Sequence, residues 1–325
     1  MHLVIGAGEF VGRHVSRALA TEVPVIELSA DADDETLADA IAGVEVVVSC
    51  AQTVSPAHRL RYRKGPAPLL ARLLEAAGRA RVTRLVHVST ADVFGSDQAT
   101  RVTEKSKVKP AQVYERLKLA EEDWLLENAG DVEVVILRPA RVFGEGEDWI
   151  LPRLMASMVR GRVWLPGGGR ARQTFIAADD LGRACLAASD RGRPGHRYLV
   201  GGFDSTWQDF LISAARAVGF SAEVGSVPYD LAYLRALAVE TTTPEGAAVW
   251  PGVFAVDAIG KPHIYDDSYS RRELTWSPSV GSLEQEIPAM TPWLSSLPEV
   301  AAAIAEAQSA PRAVEVGATT SPPGT

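Results

Sequence analysis

The stretch Leu3-Val4-Ile5-Gly6-Ala7-Gly8-Glu9-Phe10-Val11-Gly12 decides the reading of the fold. A short apolar run ends in a glycine-rich turn, and from Phe10 onward the apolar residues Val11, Val15 and Leu19 recur at helical spacing. Glycines in a strand–turn–helix let the backbone bend tightly and approach a pyrophosphate, whose charge then lies at the helix N-terminus. Taken alone, the same residues also suit a strand–helix turn that binds nothing.

Outward from this turn, strand and helix signals alternate. Residues 23–28 read as a strand, and Asp33-Asp34-Glu35 opens a helix through Ile41, with its acids where the helix dipole favours them. Residues 44–50 form a β-branched run of the kind buried on both faces. Further on, 68–80 reads as helix, 84–89 as strand, 112–128 as a long helix, and 132–137 as a strand ended by Arg138-Pro139. Strands separated by helices imply right-handed βαβ units, hence an α/β fold with a doubly wound parallel sheet.

After Gly146 the texture changes. Helices are expected at 150–160, at 178–188 with Asp179 or Asp180 as cap, at 207–218 and at 229–239. A turn is expected at 165–169 and a short strand at 198–200. Five of the seven tryptophans lie beyond residue 160, which suits a smaller C-terminal lobe with its own packing. The expected organisation is a dinucleotide-binding-type domain over 1–145 and a substrate lobe over 146–308, with segments around 170–200 returning to the first domain. A Pro/Gly/Ser/Thr-rich disordered tail is expected over 309–325.

Composition narrows the classes. With 325 residues, 46% of them hydrophobic and 23% charged, the chain has enough apolar surface for large cores, which excludes general disorder. A net charge of -8 argues against nucleic acid as a partner. Cys50 and Cys185 are too few for a disulfide framework, and the six scattered histidines offer no metal-ligand spacing, so no metal is expected. The chain opens directly on a strand, without the basic and apolar regions of a signal peptide. It has no apolar run of about 18 residues, so no membrane association and a cytoplasmic location are expected.

One pair of side chains points to chemistry. Tyr114 and Lys118 lie four residues apart, on one helix face. A neighbouring ammonium favours phenolate, and a phenol so tuned exchanges a proton with an alcohol or carbonyl oxygen near neutral pH. A solvated surface pair is the alternative. The basic run His58-Arg59-Leu60-Arg61-Tyr62-Arg63-Lys64 reads as a solvated loop in preference to a site for a phosphorylated substrate.

In order along the chain, these residues resemble the extended short-chain dehydrogenase/reductases, the NAD-dependent epimerase/dehydratase and 3β-hydroxysteroid dehydrogenase-like group. The resemblance covers residues 1–295. It rests on the glycine turn, Val46-Val47-Val48-Ser49-Cys50-Ala51, Val88-Ser89-Thr90-Ala91-Asp92-Val93-Phe94-Gly95 and Tyr114/Lys118. Leu137-Arg138-Pro139-Ala140-Arg141-Val142-Phe143-Gly144, Phe175-Ile176-Ala177-Ala178-Asp179-Asp180-Leu181 and Arg272-Glu273-Leu274-Thr275-Trp276-Ser277-Pro278 complete it. The resemblance implies a Rossmann domain with Thr90, Tyr114 and Lys118 as the catalytic set and Asp92 as a second acid/base. It implies cofactor contacts from Gly6, Gly8, Glu9, Phe10, Val11, Gly12, Asp31, Ala51, Ser89, Lys118, Pro139 and Val142. It implies substrate contacts from Arg141 and from Arg170 and Arg172, which lie near where the group meets the diphosphates of sugar nucleotides and read equally as surface charges; a homodimer is common in the group.

Departures from the pattern bear on the cofactor. Glu9 stands where the group has glycine, and its carboxylate would face a pyrophosphate of like charge. The region between Gly12 and Val46 is one strand–helix unit short, at the adenosine end. Ser29 replaces the acid or arginine expected at the end of the second strand, leaving Asp31 to reach a ribose. No Lys or Arg occurs from Thr21 to Ala42, so NAD is favoured over NADP, with Arg13 alone placed to meet a 2′-phosphate. The expected function is NAD(P)-dependent oxidation, reduction or epimerisation of an alcohol or carbonyl in a small metabolite, through a Tyr–Lys–Thr proton relay. Two alternatives stand beside it: a cofactor-independent lyase, dehydratase or cyclase on the same scaffold, and a non-catalytic Rossmann binding or sensor protein.

Overall fold

Runs of β-branched residues form strands that bury both faces, and here they stack side by side. A computed structural model describes residues 1–309 other than 64, 97–100 and 222. The first half comprises β1 (His2–Ile5), α1 (Phe10–Leu19), β2 (Val25–Leu28), α2 (Asp34–Ile41), β3 (Val46–Ser49), α3 (Pro68–Ala80), β4 (Arg84–Val88), α4 (Val113–Glu127) and β5 (Glu133–Pro139). After these come β6 (Arg141–Phe143), α5 (Leu151–Met158), β7 (Arg162–Pro166), β8 (Arg172–Ala177), α6 (Ala178–Arg191), β9 (Arg197–Val200), β10 (Phe203–Thr206) and α7 (Trp207–Ala217). The chain continues with β11 (Glu223–Val227), α8 (Tyr229–Thr242), α9 (Val253–Gly260), α10 (Ser268–Glu273), α11 (Leu283–Ser296) and α12 (Pro298–Ser309).

The main sheet has six parallel strands in the order β2-β1-β3-β4-β5-β9. β1 and β3 are buried along their whole length, whereas β2 is only partly covered. β2 is the edge of the sheet because the chain passes from it through α2 alone to β3, as the short spacing predicts. One core lies between the sheet and α1 and α6, and a second between the sheet and α2, α3 and α4. A third core, with Phe143, Phe175 and Phe210, fills the C-terminal lobe around the three-stranded sheet β10-β8-β6.

Residues 178–200 (α6 and β9) return to the main sheet, while β8 just before them belongs to the lobe's sheet. Tyr265, Leu274 and Trp276 also pack into the main-sheet core. The reading of Asp179 or Asp180 as cap of α6 is corrected. Ala177 is the N-cap, and the two acids diverge. Asp179 accepts from His14 Nδ1 at 2.5 Å and Arg17 Nη2 at 2.5 Å, joining α6 to α1. Asp180 takes the backbone N–H groups of Ser279 (2.9 Å) and Val280 (3.0 Å). The basic run at 58–64 is likewise not simply solvated. The Arg59 N–H bonds Ala247 O at 2.9 Å, its side chain caps Thr243 O, and Val249 N–H bonds Ala57 O at 2.9 Å, so this segment straps the lobe to the first domain. The expected tail beyond Ser309 lies outside the described residues.

Helix α4 is held by charge more than by oil: of its six buried residues, Glu115, Lys118, Glu121 and Glu122 are ionisable and only Leu117 and Leu125 apolar. Glu122, fully buried, accepts from Ser89 Oγ (2.5 Å), Arg138 Nη2 (2.6 Å) and Arg197 Nε (3.0 Å). Removing one member of such a cluster leaves the others desolvated and unpaired. Glu122→Ala is therefore expected to lower unfolding free energy by about 3–5 kcal/mol in urea titrations; a change below about 1 kcal/mol would contradict this role.

Candidate active site

The glycine turn delivers the chain to a cleft at the C-terminal ends of the parallel strands. Gly6 has φ +80°, and a Cβ there would lie 2.7 Å from Ala51 Cα. A Cβ on Gly12 would lie 1.9 Å from Gly6 O, so only glycine lets α1 start this close to β1. These two glycines shape the turn from behind, while Gly8, Glu9, Phe10 and Val11 face the cleft.

The cleft has a volume of about 520 Å3. Of the residues expected from sequence, it brings together Gly8, Glu9, Phe10, Val11, Ala51, Ser89, Thr90, Asp92, Tyr114, Lys118, Pro139, Arg141 and Val142. Arg13 also lines it, its guanidinium over Gly146. Besides Gly6 and Gly12 behind the turn, three expected residues are outside the cleft wall. Asp31 is exposed and bonded to the Ser29 hydroxyl, in an adjoining depression beside Arg63 and Ala67 that shares Ala51 and Gln52 with the cleft. Arg170 bonds Gln208 Oε1 at 3.2 Å, and Arg172 lies 3.6 Å from Asp204; both are exposed and outside the cleft wall. Arg172 opens β8 and pairs with Thr206 of β10.

At the chemical end, Thr90 Oγ1 donates to Asp92 Oδ2 at 2.9 Å and accepts from the Asp92 N–H at 3.1 Å. Arg141 Nη2 donates to Asp92 Oδ1 at 3.1 Å, so this buried carboxylate is neutralised by a cation that also faces the cleft. The Tyr114 ring packs edge-on against Phe254, centroids 4.9 Å apart, and Phe254 in turn contacts Trp149 at 5.4 Å.

The electrostatics of the phenol differ from the expectation. Lys118 does not depress the Tyr114 pKa: its ammonium is buried and paired with Glu121 Oε2 at 3.1 Å. Burial, aided by Asp92 and Glu121, pushes the phenol well above its ordinary value, and Arg141 and the Thr90 hydroxyl pull the other way. Tyr114 therefore holds its proton at neutral pH. Glu121 also accepts from Thr53 Oγ1 at 2.9 Å. Sequence reading did not single out Glu121, Gln52, Trp149 or Phe254. Only Glu121 carried a local signal, its i+3 spacing from Lys118.

Glu9 does not turn to solvent. Its Oε2 accepts the Gln52 N–H at 2.7 Å, bridging the glycine turn and the segment after β3. Burial raises its carboxyl above the ordinary value; the Gln52 hydrogen bond opposes this, Asp148 adds to it and Lys118 opposes it. The glycine turn, the start of α1, Ala51 and the Pro139–Val142 wall otherwise fit a dinucleotide, with Glu9 the group opposed to its phosphates. Cys50, also in the wall, is a buried thiol whose pKa burial raises far up. Among the described residues no three His, Cys, Asp or Glu side chains converge on a metal position, and no helix is long and apolar enough to cross a membrane.

The NAD dependent epimerase/dehydratase family matches residues 2–201. This chain belongs to that family. As a member it is an enzyme of oxidoreductase type on a Rossmann fold, in a family whose cofactor is NAD. It is similar to the 4-hydroxy-2-methyl-3-oxo-4-farnesyl-3,4-dihydroquinoline-1-oxide ketoreductase of Stigmatella aurantiaca, 27% identical over 254 residues that make up 75% of each chain. It is 28% identical to the human dTDP-D-glucose 4,6-dehydratase over 134 residues, 40% of this chain and 38% of that one. In fold it resembles the UDP-glucuronic acid 4-epimerase of Bacillus cereus solved with UDP-glucuronic acid and NAD. The TM-score is 0.71 at 21% identity, covering 91% of this chain and 99% of that one.

Glu9 is expected to set the pH dependence of dinucleotide binding to this cleft. Ionised, it opposes a pyrophosphate; protonated, it does not. Like charges about 4 Å apart cost on the order of 1–4 kcal/mol. NADH affinity is expected to rise about tenfold as pH falls from 8 through the raised Glu9 pKa, and Glu9→Gln to show the higher affinity throughout. Calorimetry across pH checks this, and an unchanged affinity in the variant would contradict it.

Proposed function

We propose that this enzyme interconverts a ketone and an alcohol in a small molecule, with Tyr114 as the proton donor and acceptor. The carrying observation is that Thr90, Tyr114, Lys118 and the glycine turn open into one cleft. When bound, a nicotinamide supplies or accepts the hydride. Tyr114 gives the substrate oxygen its proton on reduction and takes it back on oxidation. Its raised pKa suits the protonated, donating form as the resting state. The Thr90 hydroxyl, oriented by Asp92, is placed to bond the same oxygen, while Arg141 and Thr90 offset the charge that develops on the phenol. Lys118, with donors beyond the one given to Glu121, is the residue to hold the cofactor's ribose. The ketoreductase among the relatives supports carbonyl reduction over epimerisation. NAD is favoured over NADP because no Lys or Arg lies over 21–42 and Asp31 follows β2.

The Glu9–Gln52 bond favours one second reading, hydride-free proton transfer by the same Thr90, Tyr114 and Asp92 in a cleft that no longer takes the dinucleotide. Retained turnover without any nicotinamide would select it. On the leading reading, Tyr114→Phe is expected to lower kcat about 10^2- to 10^4-fold with NADH affinity within twofold of the parent. Undiminished turnover would remove the tyrosine from the mechanism.

A further inference from the structure

Beyond Tyr114 the cleft is walled by apolar side chains. Val54, Trp149, Leu151 and Phe254 face it, together with Phe143 and Phe210. Phe254 is the hub, touching the rings of Tyr114 and Trp149 and lying under the Arg141 guanidinium at 6.0 Å.

The charges in the wall are unfavourable to a second anion. Along the whole cleft the acids are Glu9, Asp92, Glu147 and Asp148, and the cations Arg13, Lys118 and Arg141. Lys118 is paired with Glu121 and Arg141 with Asp92, and Arg141 keeps a buried Nε–H without a hydrogen-bond partner. Arg13 lies at the other end, by the glycine turn and over Gly146. Arg170 and Arg172, the residues that would meet a diphosphate, are outside. A second pyrophosphate met only by cations already paired with carboxylates carries a heavy desolvation cost.

We propose that the substrate end of this cleft takes an uncharged, ring-bearing ketone or alcohol, stacked on Trp149 and Phe254, and that it rejects nucleotide-diphosphate sugars. This assignment deepens the oxidoreductase reading and rests on it for the role of Tyr114, but the binding preference can be read without turnover.

The test uses the full chain, with and without saturating NADH. The probes are 1-tetralone and 2-acetonaphthone on one side and UDP-glucose and dTDP-glucose on the other, with binding followed by calorimetry. The aryl ketones are expected to bind at least tenfold tighter than either nucleotide sugar. Trp149→Ala is expected to weaken the ketones at least tenfold while leaving NADH affinity within twofold, and Phe254→Leu serves as the milder second variant. Nucleotide-sugar binding equal to or tighter than that of the ketones overturns the assignment, as does the absence of ketone binding or indifference to both substitutions. Loss of NADH binding in the parent chain, with the ketone preference intact in its absence, would instead strike the cofactor-linked reading and leave the substrate class standing.

Discussion

A helix that carries catalytic side chains must be fixed more firmly than its apolar surface allows, and in this chain buried charge does the fixing. Leu117 and Leu125 alone would anchor α4 weakly. Glu122, locked by Arg138, Arg197 and Ser89, binds the helix to β4, β5 and β9. Glu121, one residue earlier, holds Lys118 and Thr53. At the N-terminus, Gln112 Nε2 donates to Asp257 Oδ2 at 3.0 Å, tying the helix to α9 of the lobe. Tyr114 thus sits between two anchors, one in each part of the molecule, and Phe254 of α9 closes on its ring. Paired charges of this kind add little net stability but are costly to leave half-made, so they specify one position of the helix.

The same logic explains why the cleft is tuned as it is. Neutralising Lys118 with Glu121 and Arg141 with Asp92 leaves few free cations to grip phosphate. Glu9 satisfies the Gln52 N–H, a donor that would otherwise be open to an incoming anion. The edge strand β2, without a further strand beyond it, gives the adenosine end a shallower frame. On the proposed function the proton-transfer groups are complete, whereas the grip on the dinucleotide is modest. Such a balance suits an enzyme in which the cofactor binds against a local carboxylate.

Much of this was legible in the sequence where the signal is local. The β-branched runs at β1, β3 and β5 read directly as buried parallel strands, and the missing strand–helix unit was visible as a short interval. The Tyr114/Lys118 pair was read from its spacing and Thr90 from the resemblance, and all three line one cleft. What sequence did not reveal depends on distant partners. β6, β7, β8, β10 and β11 were not read, because they are short and in part exposed, and pair across the lobe. Helix α11 was hidden by Pro288 and Pro292 in its interior. The phenol's pKa direction was misjudged because a neighbour four residues away was weighed and burial, a property of the whole fold, was not. Arg170 and Arg172, which read equally as diphosphate contacts and as surface charges, are exposed outside the cleft wall, a placement that only the lobe's tertiary packing decides.

The central claim is that this cleft seats a nicotinamide dinucleotide with its reactive ring beside Tyr114. A crystal structure of the chain grown with NADH at pH 6 tests it most directly. The account predicts density for the cofactor between the glycine turn and the Pro139–Val142 wall, with the Glu9 carboxylate moved off the Gln52 N–H. An empty cleft, with Glu9 still on Gln52 at saturating NADH, would contradict it.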